Sequence, residues 1–198
     1  MHNAFSRMAV LTCLMFAGSA LANPFELLPP QYGALANHAL DQVGSDLRFR
    51  PEACGAGARV ECRFSSESVS VWVKGRINPP RTRKIIIEAD LFRDMPSADP
   101  LAVVANSVLA LGATMVIFDP DLPVERHVQL LSDLAATALE EGASEGEGIA
   151  ARYSLTFDEA ASGKLMIAVT STTEVATGKV RPNWRSSSLH CPRYGSDR

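Results

Sequence analysis

Three short stretches of this sequence hold residue types that could do covalent or metal chemistry. Gly142-Ala143-Ser144-Glu145-Gly146 has the G-x-S-x-G spacing of a nucleophile elbow, and Asp158 and His190 follow Ser144 in the order acid, then base. That chemistry is acyl transfer by an activated serine, and it requires a strand before the serine and a helix after it, so that a tight turn presents the hydroxyl beside an oxyanion hole. Here a helical pattern precedes the serine and a strand pattern follows it, which is the reverse context. His190-Cys191 sets an imidazole next to a thiol, but neighbours in an extended segment point to opposite sides, so Cys191 would need a distant histidine as its base. Asp119-x-Asp121 begins like a calcium loop, then places Val124 where that loop needs glycine and lacks the closing glutamate. Capping of the following helix by Asp121 is the simpler use of these residues. No phosphate-cradling glycine loop, Cys-x-x-Cys pair or His-Glu-x-x-His occurs, so the sequence gives no reason to expect a metal or a cofactor.

The stronger signal is a surface. Val60, Cys62 and Phe64 alternate with Arg59, Glu61 and Arg63, and after a turn at Ser65-Ser66-Glu67, Val69, Val71 and Val73 alternate with Ser70, Trp72 and Lys74. The period of two predicts a hairpin with one apolar face. Its other face carries Arg59, Arg63, Trp72 and Lys74, with Arg76, Arg81 and Arg83 close by in a basic loop around Asn78-Pro79-Pro80. An indole among guanidinium groups suits recognition of an anionic sugar, a lipid head group or an acidic protein segment, through stacking and paired hydrogen bonds. The plainer use of the same residues is a solvated sheet face, with Trp72 covered by the C-terminal tail or by its neighbours.

The elements that must position this surface are organised around Leu101 to Phe118, LAVVANSVLALGATMVIF, an apolar run bracketed by two Asp-Pro pairs. Asp99 followed by Pro100 is a helix start, and Gly112 suggests a stop or kink near Leu111, with a short strand or second turn after it. Asn106, Ser107, Gly112 and Thr114 sit inside the run and no basic anchors flank it, which favours a buried core helix over a transmembrane span. An amphipathic helix precedes the hairpin, from Gln31 to about Leu47, with Tyr32, Leu35, Ala36, Ala39, Leu40, Val43 and Leu47 at helical spacing. A third strand is expected from Lys84 to Ala89, where Ile85-Ile86-Ile87 suggests cover on both faces. A further helix opens after Asp121 and Pro123, with Val124, Val128, Leu131, Leu134, Ala135, Ala138 and Leu139 on one face and His127 near its edge. Gly142 ends it, and the acidic Gly-rich segment that follows reads as a mobile loop. Two more strands, Arg152 to Phe157 and Lys164 to Thr170, form a second hairpin, and from residue 175 the tail is irregular.

The expected fold is therefore α+β: an antiparallel sheet of about five strands packed on a layer of about three helices, in the order α-β-β-β-α-α-β-β, as one domain over residues 23–174. That order is similar to the helix-strand-strand-strand-helix-strand-strand core of bacterial secretion-chaperone-like folds. The resemblance is one of element order and transfers no residues.

The first 22 residues read as a secretory signal peptide: Arg7, an apolar stretch from Met8 to Ala17, and a small-x-small ending at Ala20-Leu21-Ala22, with cleavage before Asn23. Export to the periplasm or beyond would remove Arg7 from the 19 basic residues, leaving 18 against 22 acidic ones and a net charge of −4. That balance argues against a nucleic-acid partner. Of the cysteines left after cleavage, Cys54 and Cys62 enclose a short Gly-rich segment and are the expected disulfide, which leaves Cys191 free or paired to another chain. Together these features point to an exported, non-enzymatic module that binds a protein or an anionic envelope ligand. A small hydrolase using Ser144 or Cys191, and a structural protein cross-linked through Cys191, are the alternatives.

Overall fold

Strands that alternate apolar and polar residues bury one face and leave the other to be filled or solvated, and the central strands here do so residue by residue. The computed structural model describes residues 23–91, 100–158 and 163–175. The expected signal peptide, Asp99, His190, Cys191 and nearly all of the expected tail lie outside those residues. Two short 3-10 turns, Pro24–Glu26 and Pro29–Gln31, lead into helix α1 (Tyr32–Gln42). Strands β1 (Arg50–Cys54), β2 (Arg59–Ser65), β3 (Val69–Arg76) and β4 (Arg81–Asp90) follow, then helices α2 (Pro100–Phe118) and α3 (Val124–Glu141). Strands β5 (Ala143–Glu147), β6 (Ala151–Asp158) and β7 (Lys164–Ser171) and a one-turn helix α4 (Thr172–Val175) complete the order.

The fold is α+β, with one antiparallel sheet of seven strands in the order β1-β2-β3-β4-β7-β6-β5. Two meanders join where β4 pairs with β7, Ile85 opposite Val169 and Ile87 opposite Ile167. Sequence periodicity predicts about five strands, and the two it misses, β1 and β5, are the two edges. All five residues of β1 are exposed and one is Pro51, while β5 has the sequence ASEGE. An edge strand that buries little needs no apolar alternation, so its pairing leaves no trace in the sequence. The expected mobile loop at 143–147 is thus a paired strand.

The inward face of the sheet and three helices enclose the core. Tyr32 of α1 packs against Phe64 of β2 with ring centres 5.5 Å apart and planes tilted by 52°, and its hydroxyl lies 2.9 Å from Thr114 Oγ1 of α2, tying two helices and the sheet together. Asn37 holds the chain returning to β1 through both Phe49 N–H and Phe49 C=O. Helix α2 runs unbroken through Gly112 to Phe118, where a stop, kink or strand is expected from sequence. A glycine costs a helix interior about 1 kcal/mol, and burial of Leu111, Met115 and Phe118 beyond it outweighs that. By length and composition α2 could cross a membrane, and 44% of its most apolar window is buried in the protein.

Helix α3 differs from expectation in rotation. Its buried residues are His127, Leu134 and Ala138, with Leu130 and Leu131 half-buried, while Val124, Val128 and Leu139 are exposed. His127 therefore sits inside the buried stripe. The helix is capped at Pro123 without a side-chain hydrogen bond, so Asp121, expected as its cap, does not perform that role.

Candidate functional site

The face of the sheet turned away from the helices is where the sequence-selected residues meet. Arg59, Glu61 and Arg63 of β2, Trp72, Lys74 and Arg76 of β3, and Arg81, Lys84 and Ile86 of β4 fall on it in register. Among the described residues no helix packs over it; Tyr32 of α1 and Leu134 of α3 both meet the opposite, inward face, at Phe64 and Ser144. The expected basic loop is mostly strand: β3 continues to Arg76 and β4 begins at Arg81, with only Ile77 to Pro80 between them and a cis Asn78-Pro79 peptide in the turn. Gly75 allows this close return, because a Cβ there would lie 2.1 Å from the Arg81 carbonyl oxygen. Arg59, Arg63, Trp72 and Lys74 share one face as the alternation predicts, the register adds Arg76 and Arg81, which were expected in the loop, and it skips at Arg83, between Thr82 and Lys84, so Arg83 is set apart from that row.

Pairing divides these cations. The Arg63 guanidinium lies 4.9 Å from the Trp72 ring centre, and Arg63 Nε is 2.9 Å from a Glu52 carboxylate oxygen of β1. Lys74 Nζ is 2.8 Å from Glu61. Trp72 is half-buried, flanked by Arg63 on one strand and Ile86 on the next, so neighbouring side chains supply part of the cover expected for it. Ile86 faces this side, and the cover expected on both faces of the Ile85-Ile86-Ile87 run comes on its outer side, among the described residues, from strand neighbours. Further along the face, Met166 of β7 is 44% exposed, and the far edge carries Glu145 and Glu147. The face thus runs from basic at β2–β4, through an apolar centre of Trp72, Ile86 and Ala168, to acidic at β5.

The catalytic candidates lie elsewhere. Ser144 is on β5, 6% exposed, and its hydroxyl donates to the Leu134 carbonyl at 2.7 Å, tying the strand to α3. It sits on a strand reached from a helix, without the strand-to-helix turn that an activated serine needs. The most elaborate polar cluster is one the sequence did not reveal. Asp119, fully buried after α2, accepts hydrogen bonds at Oδ1 from the N–H groups of Ile149 and Ala150 (3.0 and 2.9 Å) and at Oδ2 from the Tyr153 hydroxyl (3.2 Å). His127 Nε2 lies 3.2 Å from the Asp119 carbonyl oxygen. Gly148 is required beside it, since a Cβ there would lie 1.8 Å from Asp119 Oδ2. Burial first, and the Asp119 charge second, push the Tyr153 hydroxyl well above its usual pKa of 10.0. Tyr32 is raised by burial, opposed in part by its bond to Thr114.

Asp119 carries the marks of a catalytic acid but spends its oxygens on backbone N–H groups and a tyrosine, pinning the β5–β6 turn to the end of α2. Its partners lie some 30 residues away in sequence, so no local motif announces them. Among the described residues no group of three or more His, Cys, Asp and Glu could hold a metal ion. No protein-family model matches this chain, and neither a curated protein nor a solved structure does.

Proposed function

We propose that this protein is an exported, non-enzymatic binding module that engages a protein partner or an anionic envelope ligand through the basic, open face of β2–β4. The observation that carries this reading is the in-register placement of Arg59, Arg63, Trp72, Lys74, Arg76 and Arg81 on a sheet face that no described helix covers. A stacked guanidinium and indole at 4.9 Å forms a flat, amphipathic platform, and such aromatic and arginine anchors dominate binding energy at interfaces. Export is supported by the signal-like first 22 residues and by the Cys54–Cys62 disulfide, whose Cα atoms are 4.0 Å apart across β1 and β2 and which suits an oxidising compartment.

The experiment is capture from envelope extract by immobilised protein, comparing the native chain with Trp72→Ala/Arg63→Ala. The double variant keeps its circular dichroism spectrum and loses the captured species. Undiminished capture by a folded double variant removes this face as the binding surface.

A further inference from the structure

Resting on that reading, we propose that the ligand-gripping part of the face is the end row Arg59–Arg76–Arg81, and that it takes a tetrahedral oxyanion of the phosphate type. Arg76 stands directly opposite Arg59 on one side and Arg81 on the other. Side chains at paired positions project to the same face about 5 Å apart, and like charges so placed oppose folding. The two neighbouring cations on the face are neutralised within the protein, Arg63 by Glu52 and Lys74 by Glu61. Among the described residues no carboxylate pairs with Arg59 or Arg76. The sheet therefore concentrates arginines at this end, and Arg59 and Arg76 are left without a carboxylate partner among the described residues, in a chain whose overall charge is negative.

The geometry selects the ligand class. Guanidinium groups on neighbouring strands present planar forks side by side, and the tetrahedrally spread oxygens of a phosphate group can give each of two forks its own pair of oxygen edges, whereas a carboxylate has only one planar pair of oxygens to share between them. Lysine would serve a diffuse negative field equally well, yet arginine occupies every position of the row. The turn that follows places Ile77, 47% exposed, with exposed Pro79 and Pro80 beside the row, an apolar tip next to the cations. The same phosphate could be free in solution or carried on a lipid.

The test titrates the purified full chain with inorganic pyrophosphate by calorimetry, and sediments it with phosphatidylcholine vesicles with or without phosphatidic acid. A hydrogen-bonded charge pair contributes about 1.5–3 kcal/mol, so Arg76→Gln and Arg59→Gln each weaken binding about tenfold or more, while Arg126→Gln, at an exposed position of α3 away from this face, changes it less than about threefold. Binding to pyrophosphate supports the row as an oxyanion site for a free ligand; binding to phosphatidic acid vesicles alone supports it for a lipid-borne one. Failure of the native chain to bind either probe overturns the proposal, as does binding by both arginine variants that matches the native chain. If capture from extract still requires Trp72 and Arg63 while the arginine row proves inert, the binding face stands and only this assignment falls.

Discussion

Asp119 and Arg76 are both charged side chains in a polar cluster, and the molecule treats them in opposite ways. Asp119 is fully buried and its carboxylate accepts three hydrogen bonds, two from backbone and one from Tyr153. Arg76 lies on an open sheet face between two other arginines, with no carboxylate paired to it among the described residues. A cluster whose members satisfy one another contributes to folding and has little left to offer a ligand. A cluster that the fold leaves uncompensated stores the capacity to bind. Richness in Asp, His and Tyr would have pointed to the first cluster; counting partners points to the second.

The comparison is broken most severely at Asp119. Asp119→Ala leaves two backbone N–H groups and a tyrosine hydroxyl buried without an acceptor, and should lower stability by about 3–5 kcal/mol, read as a shift in the urea midpoint. A loss under about 1 kcal/mol would mean that water replaces the carboxylate, and that the cluster is not the anchor described. The tyrosines sharpen the same side through pH. Tyr32 and Tyr153 keep their protons in the fold above the usual pKa of 10.0, whereas the unfolded chain loses its own there. Their contribution is thus fully present below pH 10 and is lost as pH rises, at about 1.4 kcal/mol per unit for each tyrosine. Tyr153→Phe should flatten that alkaline slope even as it lowers stability at neutral pH, and unfolding curves between neutral and alkaline pH measure it.

Ser144→Ala is expected to cost about 1 kcal/mol through the lost bond to Leu134, and native Ser144 should show no fast reaction with serine-directed probes. The smallest effect has the opposite sign. Arg76→Gln relieves like-charge opposition and should raise stability by about 0.2–1 kcal/mol at low salt, a gain that fades as salt is added. Measuring thermal midpoints at two ionic strengths separates this from a packing effect.

How much of this was legible in the sequence follows from where each residue's partners lie. The period of two in Val69-Val71-Val73 and the 3.6-residue period of α1 are local consequences of burial, and both elements were readable. The disulfide joins cysteines close in sequence and was readable too. Edge strands β1 and β5 bury almost nothing, and Gly146 and Pro51 make them resemble loops. The arginines around Asn78-Pro79-Pro80 looked like loop residues because the turn signals in Gly75 and the proline pair hide how tightly β3 and β4 close. That Arg59, Arg63, Trp72 and Lys74 share one face could be read from alternation. Which of them are already paired could not, because Glu52 reaches Arg63 from a strand the sequence did not show, and Asp119 meets its partners only in the folded chain.

Site-specific photo-crosslinking in the envelope tests most directly whether the basic end of the open face is the working surface. Benzoylphenylalanine in place of Lys84, exposed on β4 among the arginines, is compared with the same residue in place of Thr156, outward on β6 toward the acidic edge. A discrete adduct at position 84, weakened by Arg59→Gln/Arg76→Gln and missing at position 156, is the result expected. Adducts of equal strength at both positions, or at 156 alone, would contradict it.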